Sequence, residues 1–259
     1  MHSHIDFGYP WFLSYGHLPV AAVAGLLVLV ARARKWSKVW LAFFGFLTLW
    51  AVAGFLIMRF GMDINGRARL PTQAFLASGP GKILDMGAGT GRSTLMVLEA
   101  RPAATVVALD QFGASYKQHF GSAGDRRSVV EVGTERLMAN LRAAGVDRRA
   151  SVQAGDMREM PLPSNSFDAV LSAYAIDHLN RDGIRKALRE ASRVLKPGGD
   201  FLLILVAKEF WLDIAWGPVV LHTHMHGPRD WERFLRDAGF KVVEEGTQPG
   251  TLYLLARKP

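Results

Sequence analysis

The sequence predicts an α/β fold: a doubly wound, largely parallel sheet, preceded by two hydrophobic helices. Three observations carry this. Ile83–Ser93 reads as a buried strand, a glycine-rich turn and the start of a helix. From there to the C-terminus, short apolar runs rich in Val, Ile and Leu alternate with helical patterns, as parallel strands joined by crossover helices require. Ahead of all this stand two long runs without a charged residue.

The turn comes first, because the remainder is arranged around it. Gly87, Gly89 and Gly91 alternate along Asp85-Met86-Gly87-Ala88-Gly89-Thr90-Gly91. Glycines let the backbone bend sharply and let a ligand approach it closely. The helix that follows points its free N–H groups back at that ligand. Dinucleotide sites use Gly-x-Gly-x-x-Gly. Here the third glycine comes one residue early, and Arg92 stands where that pattern places glycine. Asp-x-Gly-x-Gly-x-Gly instead resembles the first motif of class I S-adenosylmethionine (SAM)-dependent methyltransferases, and the resemblance extends over roughly residues 70–259. It implies a Rossmann-like, seven-stranded sheet whose last strand is antiparallel. It implies SAM as cofactor and S-adenosylhomocysteine as product.

The elements follow in order. A helix is expected over 92–100, closed by Pro102, and then a strand over 105–110 ending in Asp110. Asp110 lies 19 residues past Gly91, placed to accept from both ribose hydroxyls. Residues 111–130 are long for a connection and include Phe112, Tyr116 and Phe120. Helix 131–144 is expected to stop at Gly145. Strand 150–154 leads into Gly155-Asp156-Met157, and strand 169–173 into Tyr174-Ala175-Ile176-Asp177-His178. Helix 182–195 ends in the stop-and-turn Leu195-Lys196-Pro197-Gly198-Gly199. Strand 201–206, helix 229–238 and strands 241–245 and 251–256 complete the chain.

The resemblance assigns roles along this order. Asp85 and Gly87, Ala88, Gly89 and Gly91 are expected to hold the methionine end of the cofactor. Asp110 and Gln111 would hold the ribose side, Asp156 and Met157 the adenine, and Tyr174 a further part of the cofactor. Ligands of open α/β sheets bind beyond the carboxyl ends of the strands. Asp177 and His178, just past the fourth strand, are therefore the candidate catalytic groups, with His178 suited to accept a proton near neutrality. The candidate acceptor pocket comprises Tyr116, Trp211, His222, His224 and His226. Those three histidines, at alternate positions, would share one face of an extended chain. Without an adjoining carboxylate cluster the pocket reading is favoured, and no metal is assigned.

Composition narrows the rest. The chain of 259 residues has no cysteine, so a disulfide framework, a thiolate metal site and a cysteine nucleophile are excluded. A net charge of +8 suits an anionic membrane surface or nucleic acid; no nucleic-acid motif is present, so nucleic acid is not an expected partner.

The first uncharged run reaches from Phe7 to Ala31, the second from Val39 to Met58. Read as helices over about 10–31 and 39–58, they make residues 1–68 a membrane anchor ahead of a catalytic domain at 69–259. The second run, 20 residues long, would cover about 30 Å, enough to cross a hydrocarbon core. Tyr9, Trp11, Tyr15, Trp36 and Trp40 lie near the run ends, where an aromatic belt would sit. A short helix is expected at Thr72–Ala77.

Charge complicates the topology. Arg32, Arg34, Lys35 and Lys38 between the runs favour a cytoplasmic linker, whereas Arg59, Arg67 and Arg69 favour a cytoplasmic domain. The expected location is the inner, cytoplasmic membrane with the catalytic domain on the cytoplasmic side. The expected function is methyl transfer to a lipophilic acceptor: a lipid amine, a quinone or phenol, or a hydrophobic small molecule. The alternative is a SAM-binding membrane sensor or scaffold without turnover.

Overall fold

The computed structural model describes residues 5–111, 129–207, 209, 210, 212 and 226–259, with side chains in the helix after 128 described from residue 133. Tyr116, Trp211, His222 and His224, assigned above to the acceptor pocket, lie outside the described residues. The chain divides into two compact units. One comprises Met1–Gly8, Arg67–Lys208 and Thr223–Pro259; the other comprises Tyr9–Gly66 and Glu209–His222. Residues up to Gly8 thus group with the sheet, although the sequence places them in the anchor.

The larger unit is built on seven strands: β1 (Lys82–Met86), β2 (Thr105–Asp110), β3 (Ala150–Ala154), β4 (Phe167–Ala173), β5 (Leu195–Val206), β6 (Lys241–Gln248) and β7 (Thr251–Arg257). Their order is β3-β2-β1-β4-β5-β7-β6. Strands β1 to β5 are parallel, while β7 runs antiparallel between β5 and β6. Ile83, Leu84 and Met86 of β1, and Phe201, Leu202 and Leu203 of β5, are all buried, as strands covered on both faces must be. The order reverses between β1 and β4, and this puts a crevice at the carboxyl ends of those strands.

The helices cover the faces through one stripe each. In the helix Arg181–Val194, Ile184, Ala187, Leu188, Ala191 and Val194 are buried at three- and four-residue spacing. Asn180 caps its start by accepting from the Gly183 amide at 2.8 Å.

Two local expectations are corrected. Thr72–Ala77 is a run of turns, not a helix. Distant side chains take its polar groups: Asp200 accepts from the Leu76 amide at 3.0 Å, Arg101 Nε donates to the Phe75 carbonyl at 2.9 Å, and Thr72 donates to Glu244 at 2.8 Å. Residues 195–199, expected to be a free turn, are the irregular start of β5. Leu195 pairs with Phe167 and Asp200 with Ala169, so the extra residues bulge between them. Lesser changes extend expected strands, such as β4 back to Phe167 and β6 on to Gln248.

In the smaller unit, α1 (Trp11–Tyr15) and α2 (His17–Ala33) replace one helix over 10–31. The break at Gly16 follows from Pro19, which has no N–H to donate to the Tyr15 carbonyl. The second helix, α3 (Lys38–Leu56), continues as a π-helical turn over Ile57–Met62. Together Lys38–Met62 is long and apolar enough to cross a bilayer. Ala24, Ala31, Ala51 and Gly54 are buried, and a Cβ at Gly54 would overlap the ring of His17. Phe44 and Met58 are buried beside them, but most large apolar side chains face outward: Val23, Leu26 and Leu29 on α2, and Val39, Phe46 and Leu49 on α3, the last 72% exposed. Thr48 donates its hydroxyl to its own helix, at the Phe44 carbonyl.

Candidate active site

The site is built at the carboxyl ends of β1, β2, β3 and β4. The first of these carries the glycine turn. Gly87, Gly89 and Gly91 all have φ between +53° and +88°, in the left-handed region that side chains with a Cβ rarely enter. The amides of Gly87 and Ala88 both donate to the Leu109 carbonyl, at 2.8 and 3.1 Å, and this binds the turn to the end of β2. A Cβ at Gly87 would overlap that of Ala175 and stand 3.0 Å from the Met157 terminal methyl. Three loops, after β1, β3 and β4, therefore converge on a glycine that leaves its own space open. Gly91 caps the next helix, α4 (Arg92–Ala100), whose first amides lack partners within the helix.

Asp85 lies beneath the turn, wholly buried. Its Oδ2 accepts from the hydroxyls of Ser93 at 2.7 Å and Thr94 at 2.6 Å, which locks β1 to the start of α4. Its Oδ1 has no hydrogen-bond partner among the described residues. Burial pushes the carboxyl up to about 6, against the two hydroxyls and with a smaller push from Asp110. The sequence placed Asp85 to accept from a polar ligand or from the turn's own amides; the partners observed are instead the two hydroxyls of α4.

Asp110 ends β2 and holds the turn from the other side: its Oδ2 accepts from the Gly89 amide at 2.8 Å, and its own carbonyl accepts from Gly155 at 2.9 Å. Asp156 follows β3. Arg158 engages both of its oxygens through Nε, at 2.9 and 3.0 Å, and through Nη2 at 2.6 Å, and Gln111 adds a further hydrogen bond. The Arg158 hydrogen bond leads in holding this carboxyl below the usual range. Gln111 and Asp156, expected to touch different parts of a cofactor, are thus bonded to each other. With strands about 4.8 Å apart, the ends of β1, β2 and β3 span about 10 Å, a shelf suited to an extended nucleoside.

Beyond β4, Tyr174 adopts φ +51° and its hydroxyl pairs with Thr251 at 2.6 Å. Asp177 and His178, expected to face one reacting group together, part company. Asp177 is 5% exposed with its Oδ1 unpartnered, whereas His178 is exposed. The tight 3-10 turn Ile176–His178 is the cause, since adjacent residues on it point in different directions. Burial raises the Asp177 carboxyl, and the His178 charge opposes this. His226, expected in the acceptor pocket, packs edge-on to Trp231 and Phe234, with centroids at 5.7 and 5.3 Å, as part of an aromatic cluster.

Sequence reasoning missed Asn140, on the helix α5 (Val129–Ala143). It is buried, and its Nδ2 donates at 2.9 Å to the Thr90 carbonyl within the glycine turn. The available signal was its place on the apolar stripe with Leu137 and Leu141. Separately, a concavity of about 580 Å³ opens at Gly227–Asp230, bounded by Glu232 and Glu245. Burial, then the neighbouring Glu232, raises the Glu245 carboxyl. None of the described residues expected in the site lines this concavity.

Seven strands in this order, with a glycine cradle and carboxylates at the carboxyl ends, define a class I SAM-dependent methyltransferase domain. Comparison with known proteins agrees. Residues 84–203 match the family model described as a methyltransferase domain. The demethylmenaquinone methyltransferase of Symbiobacterium thermophilum is 29% identical over 167 residues, 64% of this chain and 55% of the relative. The ubiquinone/menaquinone biosynthesis C-methyltransferase of Methylobacterium nodulans is 37% identical over 126 residues, 48% of this chain and 42% of that one. The chain spans about half the length of these curated relatives. Among solved structures, a SAM-dependent methyltransferase of Methanosarcina mazei shares the fold with TM-score 0.53, at 15% identity over 69% of this chain and 92% of its own. The cofactor of the domain is SAM. The residues fit it: the cradle is one that a Cβ would fill, and a buried carboxylate oxygen lacks a partner.

Proposed function

We propose that the protein transfers the methyl group of SAM to a lipophilic acceptor held in a membrane. The observation that carries this reading is the packing of α2 against α3. Ala24, Ala31, Ala51 and Gly54 are buried in the seam together with Phe44 and Met58, while most of the large apolar side chains face out, the reverse of a water-soluble helix pair and the arrangement that a hydrocarbon solvent favours. A water-soluble acceptor needs no such tether, whereas a quinone, a phenol or a lipid amine is concentrated at the bilayer. The quinone-pathway names of the relatives support a lipophilic acceptor. The cytoplasmic membrane is the proposed location, with the domain on its cytoplasmic side.

SAM supplies an electrophilic methyl on a positively charged sulfur. The chain's own residues then have three tasks. The open space over Gly87 and Asp85 Oδ1 receive the amino-acid end, with the Asp85 charge complementing an ammonium. Asp110 holds the ribose, and Asp156 with Met157 the adenine. Asp177, buried beyond β4 with one oxygen unpartnered, positions the acceptor and accepts its proton where one must leave. Much of the rate then comes from alignment of the two reactants. The test is to offer the purified full chain, in detergent, methyl-labelled SAM together with a total lipid extract or with the water-soluble fraction of the same cells. Labelled product from the lipid extract alone supports the reading, and labelled product from the aqueous fraction alone overturns the acceptor class.

A further inference from the structure

Residues 9–66 leave one folded unit and return to it. Ile5–Gly8 group with the sheet, as does the chain from Arg67. Phe7 is buried there, and Asn140 grips its neighbour reciprocally. Asn140 Oδ1 accepts from the Asp6 amide and Nδ2 donates to the Asp6 carbonyl, each at 2.9 Å, while the same Nδ2 reaches the Thr90 carbonyl. Asp6 Oδ1 then accepts from the Gly8 amide at 2.8 Å and turns the chain toward α1. A segment clamped in this way cannot lie across a bilayer from the domain that clamps it.

We propose that residues 9–66 form a closed transmembrane hairpin. Its two ends, with the methyltransferase domain, lie on one face, and its basic turn, Arg32–Lys38, lies on the other. This rests on the membrane reading above and adds its topology. The arm Lys38–Met62 is about 38 Å long at 1.5 Å per residue and covers a core of about 30 Å, whereas α2 (His17–Ala33) is about 26 Å long and reaches that depth only together with α1, across the break at Gly16. A hairpin lying flat in the interface would need a charged or polar face along each arm. No Asp, Glu, Lys or Arg occurs from Phe7 to Ala31 or from Val39 to Met58.

The turn is tight: Lys35 takes φ +52°, and the Trp36 amide donates back to the Ala31 carbonyl at 2.8 Å. It presents Arg32, Arg34, Lys35 and Lys38 beside Trp36 and Trp40, a composition suited to headgroups. Against these four charges stand Arg59, Arg67 and Arg69 at the base, so the balance of basic residues is nearly even and the clamp decides.

The absence of cysteine makes the test direct. Three full-length proteins, Ile5→Cys, Ser37→Cys and Ser151→Cys, are treated in intact cells with a membrane-impermeant maleimide, then again after the membrane is opened by detergent. Labelling is normalised to the denatured protein. The proposal predicts that Ser37→Cys labels in intact cells, and that Ile5→Cys and Ser151→Cys label only after opening. Ile5→Cys and Ser151→Cys labelling from opposite faces would overturn the closed base. Ser37→Cys sharing a face with Ser151→Cys would overturn the two spans. Release of the protein from membranes by an alkaline carbonate wash would instead remove the membrane reading, and the topology with it.

Discussion

The ionisation of Asp85 links the stability of this domain to its cofactor. Its carboxyl is pushed up to about 6 chiefly by burial, while an unfolded aspartate titrates near 3.8. The folded chain therefore holds an extra proton between those values. The stabilisation from that proton is fully present below about pH 4 and is lost as pH rises through about 6. A shift of about two units corresponds to on the order of 3 kcal/mol. Asp85→Asn keeps an acceptor for Ser93 and Thr94 but removes the buried charge.

In the absence of SAM, the variant is expected to gain up to about 3 kcal/mol over the parent in urea unfolding at pH 7.5, and nothing at pH 4. If the ionised Asp85 receives the cofactor's ammonium, SAM binding runs the other way. At pH 5 only about one molecule in eleven carries the charge, so the parent should bind SAM about tenfold more weakly than at pH 7, and Asp85→Asn weakly at both. Titration calorimetry from pH 5 to 7 measures this. A variant that binds SAM like the parent, with the same pH dependence, would refute the reasoning.

Three further substitutions probe the site and the hairpin. Gly87→Ala places a Cβ on that of Ala175 at φ +82° and should cost about 2 kcal/mol or more in urea unfolding, as well as SAM binding; retention of both would show that the cradle is not closed here. Asp110→Ala should abolish SAM binding in calorimetry while circular dichroism stays that of the parent, and undiminished binding removes its ribose role. Asn140→Ala strands the Thr90 carbonyl and both backbone groups of Asp6, and should lower stability by about 1–3 kcal/mol; an unchanged urea midpoint would mean that water replaces the amide.

What the sequence made legible were features whose physics is local. The glycine turn, the carboxylate ending β2 and the periodic stripe of the helix Arg181–Val194 each depend on neighbours in the chain, and all three appear where expected. Residues 72–77 have helix-forming composition, yet Asp200, Arg101 and Glu244 take their polar groups from afar. The 195–199 stretch reads as a turn because of Pro197 and its two glycines, and only pairing with Phe167 makes it the start of a strand. In the site, adjacency misled: Asp177 and His178 are neighbours in sequence, and a 3-10 turn sends one inward and one outward. Asn140 and Asp6 are 134 residues apart, beyond any spacing argument.

The most direct test of the central claim is to incubate membranes containing the protein with methyl-labelled SAM and to partition the products between organic solvent and water. Membranes with Asp110→Ala and membranes without the protein serve as controls. The account predicts organic-phase label well above both controls, with chromatography of that phase identifying the acceptor. Label no higher than the controls, from a protein that binds SAM, would contradict it.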